Sequence, residues 1–200
     1  MGKSVLITSR SYGQVSSEPL DLLVNNGFQV DFQNGSFDEE NFLNVIGNYD
    51  ALIIGAHAFS RKAAERAVRL KIICKHGVGL DNIDLEAAKE HHIRVTNVPA
   101  ANANAVADLT IGLMLDVARK ISYGAARVKK GLWDKLIGVD VYAKTLGLIG
   151  FGTIAKKVAA RARGFEMKVL AYDPFITTPP EEFSYVRQTS LTEVIREADF

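Results

Sequence analysis

The chain has 200 residues, of which 48% are hydrophobic and 24% charged, and its formal net charge at pH 7 is +1. This composition is that of an ordinary globular protein of one or two domains, and the near-zero charge gives no reason to expect nucleic acid or an anionic membrane as a partner. There is no signal peptide, no apolar stretch long enough to cross a membrane and only one cysteine, Cys74, so we expect a cytoplasmic protein without an internal disulfide.

Short apolar runs and helical patterns alternate through the first 97 residues. Gly27 is placed to end the first helix in a left-handed conformation, and Ser60 and Asp84 are placed as N-caps of two later helices. The expected strands are 4–8, 28–32, 51–54, 71–74 and 93–96, and the expected helices are 17–26, one opened by a capping box at Ser36 and Glu39, 61–68 and 85–90. This alternation predicts an α/β fold with parallel sheets covered on both faces.

The pattern changes after Asn97, where we place the boundary between a domain of residues 1–97 and a domain of residues 98–200. A long helix is expected over 108–121, followed by a helix and loop around Trp133. From Thr145 a new strand–helix–strand unit begins, with strands at 146–149 and 168–172 and a helix at 153–163.

The strongest local motif is the glycine turn that follows the strand at 146–149. Gly150, Gly152 and Ala155 fit the pattern G-x-G-x-x-G/A of dinucleotide-binding proteins. Gly150 allows a tight turn, Gly152 lets a diphosphate approach the backbone, and Ala155 lets the helix pack closely on the strand. The amides of Thr153 and Ile154 begin that helix, whose dipole favours phosphate.

A carboxylate ends the second strand of this unit. Asp173 lies 21 residues after Gly152, where an acid accepts hydrogen bonds from the adenosine ribose. A 2′-phosphate would meet like charge there, and Pro174 follows instead of an arginine. The motif therefore predicts binding of NAD rather than NADP, with Gly150, Gly152, Thr153, Ile154, Asp173 and Pro174 as cofactor-binding residues.

A second glycine-rich run lies between the fourth strand and the next helix, in the first domain. Gly77 and Gly79 expose backbone amides that suit a carboxylate at the carboxyl end of a parallel strand. A plain glycine turn, with Asp81 and Asn82 making local hydrogen bonds, explains the same residues equally well.

Three motifs in order carry a resemblance to a known family. They are G-V-G-L-D-N-I-D at 77–84, N-V-P-A-A-N-A-N-A-V-A-D at 97–108 and K-T-L-G-L-I-G-F-G at 144–152. Together they resemble the D-isomer-specific 2-hydroxyacid dehydrogenases, and the phosphoglycerate dehydrogenase branch in particular. The resemblance implies a flavodoxin-like substrate domain followed by a Rossmann NAD-binding domain, incomplete at the C-terminus.

The resemblance also implies a substrate site. The backbone at Val78 and Gly79 would hold the substrate carboxylate, Val78 would also lie near the nicotinamide, and Asn102 would be a polar group on the substrate side. Lys75 occupies a position where the family often has arginine, and it can neutralise an anion without forming a bidentate pair. We interpret His76, beside it, as a turn residue without a ligand role.

The implied reaction is hydride transfer between NAD and the CH–OH group of a small D-2-hydroxy acid. The substrate 3-phosphoglycerate, and with it serine biosynthesis, is the first choice. A glyoxylate or hydroxypyruvate reductase, or a non-catalytic NAD-sensing binding protein of the same fold, are the alternatives. The family dimerises through its nucleotide domain, which points to residues 108–133 here, and no metal is implied.

The family's catalytic arginine, glutamate and histidine are expected beyond Phe200, so we name no catalytic residue and expect this chain alone to be inactive. His57 has no paired acid at recognisable spacing, and we expect His91 and His92 to be solvated at a helix end. We expect a parent protein of about 300 residues or more, the size of two complete α/β domains. Half of a Rossmann sheet would leave the strand at 146–149 as an open edge.

Overall fold

The computed structural model describes residues 2–33, 36–176 and 178–200, which form two compact units, Met1–Ala101 and Asn102–Phe200. The units divide at residue 101, where the sequence suggested 97. All strand pairs within each unit are parallel, and helices connect the strands. The predicted α/β class with parallel sheets is confirmed.

The described residues of the first unit form a five-stranded sheet in the order β2-β1-β3-β4-β5, the order of flavodoxin-like folds. Its strands are β1 (Ser4–Ile7), β2 (Gln29–Phe32), β3 (Ala51–Ile54), β4 (Ile72–Lys75) and β5 (Arg94–Thr96). Its helices are α1 (Glu18–Asn25), α2 (Glu39–Val45), α3 (Arg61–Arg66) and α4 (Leu85–Glu90).

Both faces of the central strands β1 and β3 are buried because alternate strand residues point to opposite sides, whereas the outer strands β2 and β5 are mostly exposed. Leu6, Leu52 and Ile54 pack in one apolar cluster with residues of α2, α3 and α4. Val5 and Ile53 point the other way and pack in a second cluster with residues of α1. A strand that is buried on both faces needs apolar residues at successive positions, and this explains the continuous apolar runs in the sequence.

Helix starts in this unit follow the expected caps with one exception. Ser60 and Asp84 cap α3 and α4 with their side-chain oxygens, as predicted. The capping box at Ser36 is wrong, because the carboxylate of Asp38 caps α2 by accepting the N–H groups of Glu40 and Asn41. An acid next to the first turn satisfies two amides that a serine further back does not reach.

In the second unit, the part of the chain that the structure describes forms three strands in the order β6-β7-β8, the first half of a Rossmann sheet. The strands are β6 (Thr145–Ile149), β7 (Lys168–Tyr172) and β8 (Val186–Gln188). The helices are α5 (Ala103–Arg119), α6 (Ile121–Lys129), α7 (Thr153–Ala162) and α8 (Leu191–Glu197). Lys120, in the left-handed conformation with φ of 55°, separates α5 from α6.

β6 is an edge strand, as expected, but the residues after α8 bond to the beginning of its free edge. The N–H of Gly147 donates to the carbonyl of Phe200 at 2.9 Å, and the N–H of Asp199 donates to the carbonyl of Thr145 at 2.9 Å. Gly147 lies so close to α8 that an added Cβ would come within 2.8 Å of Val194 Cγ1. A glycine in mid-strand therefore permits this close approach.

The long helix α5 begins at Ala103 instead of at residue 108. Asp108 consequently lies inside the helix, and its Oδ1 accepts from Nε of Arg161 on α7 at 2.5 Å. The acid therefore joins two helices of the unit.

Among residues 2–33, 36–176 and 178–200, no helix combines the length and apolar character needed to cross a bilayer. The same described residues contain no group of three His, Cys, Asp or Glu side chains arranged to hold a metal ion.

Candidate functional site

The glycine turn between β6 and α7 has the conformation that its sequence predicts. Gly150 has φ of +90°, a value that favours glycine, and its N–H donates to the carbonyl of Tyr172 at 2.7 Å. Gly152 occupies the N-cap position of α7, where no side chain caps the helix. The strand therefore ends in a tight turn that leads directly into an uncapped helix.

Space above this turn is open. A Cβ added at Gly150 or at Gly152 would meet no atom within 4 Å. Thr153 and Ile154 are exposed, and the first N–H groups of a helix have no partner within the helix. Unpaired amides at a positive helix end, with nothing above them, fit a diphosphate. The open space and the exposed helix start at this turn therefore fit a dinucleotide cofactor.

The side chain of Phe151, between the two glycines, fixes the turn from below. It is fully buried and contacts the ring of Phe183 edge-on, with the ring centroids 5.5 Å apart. Because this side chain packs into the core, the backbone around it lies at the surface. The glycine motif accepts any residue at this position, so the sequence did not predict that Phe151 fixes the turn.

The carboxylate of Asp173 lies at the same turn. Its Oδ2 accepts the N–H of Phe151 at 2.7 Å, and its Oδ1 accepts the N–H groups of Phe175 at 2.8 Å and Ile176 at 3.2 Å. These bonds, that of Phe151 first, hold the pKa of Asp173 below its ordinary value, and the charge of Lys156 adds to the effect. The group is therefore ionised at neutral pH.

Three donors on Asp173 leave about one of the four acceptor positions of a carboxylate unused. A ribose hydroxyl is a donor that fits the remaining position. Pro174 and Phe175 follow on the surface, and the side chain of Phe175 is 93% exposed. The acid is thus flanked by apolar surface that suits a planar base.

Lys156 is a second residue that the sequence motif did not single out. It lies on the first turn of α7 with its ammonium 5.9 Å from the centre of the Phe151 ring. It supplies a cation near the turn. The sequence indicates this role only through the position of the lysine, three residues after the first residue of the helix.

In the first unit, the loop after β4 carries the other predicted residues. Gly77 has φ of +154°, and its carbonyl accepts the N–H of Val98 at 3.0 Å. The amide of Asn97 donates to the carbonyl of Val78 at 2.7 Å, and Val78 is 38% exposed. A Cβ at Gly79 would come within 2.7 Å of Asp81 Oδ1. The loop is therefore held in place while Val78 and Gly79 lie at the surface.

Lys75 lies at the end of β4 and is bound to two neutral oxygens. Its ammonium donates to the carbonyl of Gly55 at 2.7 Å and to Oδ1 of Asn82 at 2.6 Å. The amide of Asn82 in turn donates to the carbonyl of His57 at 2.5 Å. Asn82 thus ties the loops after β3 and β4 together. In the described part of the chain, Lys75 makes no ion pair with a carboxylate.

Two histidines lie beside Lys75 and bond to hydroxyl groups. Oγ of Ser9 lies 2.7 Å from Nδ1 of His76, and Oγ1 of Thr8 lies 2.6 Å from Nε2 of His57. Burial lowers the pKa of His57, although the bond from its ring to the carbonyl of Ala58 acts in the opposite direction, and the charge of Lys75 lowers the pKa further. His57 is therefore neutral at neutral pH.

The predicted residues thus form two groups, one in each unit. Gly150, Gly152, Thr153, Ile154, Asp173 and Pro174 surround the turn at the start of α7, and Lys75, Val78 and Gly79 follow one another on the loop after β4. Asn102 belongs to the second unit. It is exposed at the N-cap position of α5, and its side chain forms no capping bond.

The chain is similar to a known family and to several known proteins. The sequence model of the D-isomer specific 2-hydroxyacid dehydrogenase catalytic domain matches residues 5–198. The chain is 39% identical over 191 residues to hydroxypyruvate reductase of Thermotoga maritima, covering 92% of this chain and 61% of the relative. It is 41% identical over 176 residues to D-3-phosphoglycerate dehydrogenase of Methanocaldococcus jannaschii, covering 86% of this chain and 33% of the relative.

The chain is also similar to solved structures. The TT0316 protein of Thermus thermophilus has a TM-score of 0.88 and 35% identity, and the match covers 98% of this chain and 62% of that one. An acyclic imino acid reductase in complex with NADPH and D-Arg has a TM-score of 0.81 and 28% identity, with 98% and 63% covered. The chain thus spans between a third and about three fifths of the length of these relatives.

Proposed function

The chain belongs to the D-isomer-specific 2-hydroxyacid dehydrogenases, and from this we propose that it is part of an NAD-dependent oxidoreductase acting on a small D-2-hydroxy acid. The observation that carries the proposal is the open turn at Gly150 and Gly152, beside the ionised carboxylate of Asp173. We propose that unit 2 binds the dinucleotide and that unit 1 contributes to substrate binding.

Within unit 2, we propose that the residues of the glycine turn hold the diphosphate of NAD. The amides of Thr153 and Ile154 would donate to phosphate oxygens, because neither has an acceptor among the described residues. Gly150 and Gly152 would keep the approach free of side chains. Asp173 would accept a ribose hydroxyl, and Pro174 would line the adenosine side.

The preference for NAD over NADP rests on charge. Asp173 is anionic at neutral pH, so a 2′-phosphate would meet a like charge there. Pro174 offers no cation to compensate, although Lys156 lies nearby. NADPH in the imino acid reductase shows that a related fold accommodates the phosphorylated cofactor. Asp173 is therefore the residue on which this preference should depend.

For the substrate, we propose that the backbone at Val78 and Gly79 holds the carboxylate, with Asn102 and Lys75 as further polar contacts and Val78 also facing the nicotinamide. The nicotinamide ring, when bound, would supply or accept the hydride. The contribution of these residues would be to orient the acid and to neutralise its charge. Among the described residues no histidine pairs with a carboxylate, so we assign no general acid or base to this chain.

The first proposed substrate is 3-phosphoglycerate, which would place the protein in serine biosynthesis. The phosphoglycerate dehydrogenase of Methanocaldococcus jannaschii supports this choice. The hydroxypyruvate reductase of Thermotoga maritima supports reduction of hydroxypyruvate or glyoxylate as the second candidate. Relatives of both kinds match most of this chain, so the choice between them depends on the residues that meet the far end of the substrate.

We also propose a homodimer formed through unit 2. Apolar side chains are exposed along α5, α6 and the loop that follows, where Trp133 is 91% exposed. The others are Leu109, Leu113, Val117, Ile121, Tyr123, Val128 and Leu132. Leu109, Leu113 and Val117 are four residues apart on α5 and so share one face of the helix, and an exposed apolar face is typical of an interface. Sedimentation of the wild-type protein and of a Leu113→Glu variant tests the proposal, which fails if both are monomers.

The catalytic proposal is tested on the intact protein by following the absorbance of the nicotinamide with each candidate acid. Turnover with 3-phosphoglycerate and NAD, or with hydroxypyruvate or glyoxylate and NADH, is the expected result. Absence of turnover with every 2-hydroxy and 2-keto acid would contradict it.

A further inference from the structure

The loop of residues 173–176, which follows β7, is anchored at both of its ends. Oδ1 of Asp173 accepts the N–H groups of Phe175 at 2.8 Å and of Ile176 at 3.2 Å. Ile176 packs against the core of unit 2, whereas Pro174 and Phe175 are exposed. The ends of the loop are therefore fixed, and its middle presents Pro174 and Phe175 at the surface.

A side chain from the neighbouring strand binds this loop as well. Gln188 is the last residue of β8, and its backbone is paired with Ala171 on β7. Its Nε2 donates to the carbonyl of Ile176 at 2.6 Å and lies 3.4 Å from the carbonyl of Asp173. One side-chain amide thus bridges the carbonyl groups at the two ends of the loop.

The other polar atom of this side chain shows that packing alone does not explain the glutamine. Oε1 of Gln188 is buried and has no hydrogen-bond partner among the described residues. A buried polar atom without a partner is unfavourable, so an apolar side chain of similar length would fill the same space at a lower cost. What only the glutamine supplies here is its pair of N–H groups, both directed at the loop.

We propose that Gln188 is a positioning residue of the cofactor site. By holding both ends of the loop 173–176, it keeps the carboxylate of Asp173 on the N–H of Phe151, with an acceptor position left for the ribose. Gln188 acts through this loop and does not itself bind the nucleotide. The inference rests on the proposed function, in which Asp173 binds the adenosine ribose of NAD.

The first test is amide hydrogen exchange of the 200-residue chain without ligand, in the wild type and in Gln188→Met. Methionine keeps an unbranched side chain of similar length but has no N–H group. The amides of Phe151 and Ile176, which donate to Asp173, should exchange about threefold to tenfold faster in the variant. The amide of Thr189, which donates across to β7, should exchange at the wild-type rate.

The same measurement can overturn the inference in two ways. Unchanged exchange at Phe151 and Ile176 would mean that the loop does not depend on Gln188. Equal acceleration at Thr189 would mean that the side chain supports β8 as a whole instead of the loop. Gln29→Met, on the exposed edge strand β2 of unit 1, is the matched control and should leave all three amides as in the wild type.

The second test is the affinity for ADP-ribose, measured by calorimetry in weakly acidic and in weakly alkaline solution. Gln188→Met should bind about threefold to tenfold more weakly than the wild type in both. Gln188→Glu carries a carboxyl whose pKa burial raises, so it is protonated in weak acid and can donate one hydrogen bond. Asp173 stays ionised under these conditions because its pKa is lowered.

The two variants should therefore change order with pH. Gln188→Glu should bind ADP-ribose more tightly than Gln188→Met in weak acid, and more weakly in weak alkali, where its carboxylate faces two carbonyl oxygens. A side chain that only fills space would not produce this reversal. The same order at both pH values, or wild-type affinity in Gln188→Met, would contradict the assignment.

This inference and the proposed function fail separately. If the wild type binds ADP-ribose and Gln188→Met binds it equally well, the inference ends and the dehydrogenase proposal remains intact. If the wild type itself does not bind ADP-ribose, the cofactor proposal is removed. Hydrogen exchange in the free chain then still decides whether Gln188 holds the loop.

Discussion

The carboxylate of Asp173 accepts the backbone N–H of Phe151 at 2.7 Å, and this bond ties the end of β7 to the middle of the glycine turn. One residue therefore has two roles in our account. It fixes the turn that would receive the diphosphate, and it presents its remaining acceptor position to the ribose.

Replacing Asp173 should separate these roles. Asp173→Ala is expected to weaken NAD binding about tenfold or more and to remove the preference over NADP, because the acceptor and the negative charge are both lost. Asp173→Asn keeps one oxygen for the amide of Phe151 and should retain more affinity for NAD than Asp173→Ala. Calorimetry with both cofactors measures this, and Asp140→Ala, at an exposed acid in the same unit, is the control. An unchanged cofactor preference in both variants would remove Asp173 from the role.

Acid should abolish the stabilisation that Asp173 provides. Its carboxyl has a pKa below the ordinary 3.8 in the folded chain, first because of the N–H of Phe151. A depressed pKa stabilises the fold above the unfolded value, and this stabilisation disappears as the pH falls through the folded value. The melting temperature of the wild type should exceed that of Asp173→Asn by a constant margin near neutral pH, and the margin should shrink below about pH 4. A margin that grows in acid would contradict the bond.

Alanine at the two glycines should give opposite results. Gly152 has φ of −78° and open space around it, so Gly152→Ala should fold normally but place a methyl group where the diphosphate approaches. Gly150 has φ of +90°, so Gly150→Ala should lose about 1–3 kcal/mol of unfolding free energy through backbone strain. Denaturant unfolding and NAD titration of both variants measure the contrast. Normal NAD affinity in Gly152→Ala would show that no diphosphate contacts this turn.

Asn82 should matter for the stability of unit 1 and not for the nucleotide. Its amide bonds to the carbonyls of His57 and Gly55, and its oxygen accepts from Lys75. Asn82→Ala should lower the free energy of unfolding by about 1–3 kcal/mol, because these groups lose their partner. Asn104→Ala, on the exposed surface of α5, is the control. ADP-ribose affinity should be unchanged, and a loss of that affinity would mean that the residue acts outside its own unit.

The parts of the site that are local in sequence could be predicted. Gly150, Gly152 and Asp173 belong to one strand–helix–strand unit. Their spacing in the sequence is therefore enough to predict where they lie in the fold. The caps Ser60 and Asp84 are local as well. The start of α5 at Ala103 was missed because the Asn- and Ala-rich segment before residue 108 lacks a recognisable apolar period.

The hydrogen bonds between the strand ends of unit 1 could not be predicted because they join distant residues. Ser9 meets His76 across 67 positions, and Thr8 meets His57 across 49. The sheet order places β1 next to β3 and β3 next to β4, which brings these strand ends together. The sequence predicts only a turn residue at His76, because no sequence pattern indicates that Ser9 is its hydrogen-bond partner.

The central claim is that the turn at Gly150 binds the ADP half of NAD. The most direct measurement is a titration of the isotope-labelled chain with ADP-ribose, followed through its backbone amide signals. The account predicts saturable shifts of Gly152, Thr153 and Ile154 and of Phe175 beside Asp173, with the signals of unit 1 unmoved. Binding that leaves these four amides unchanged, or no binding at millimolar ADP-ribose, would contradict it.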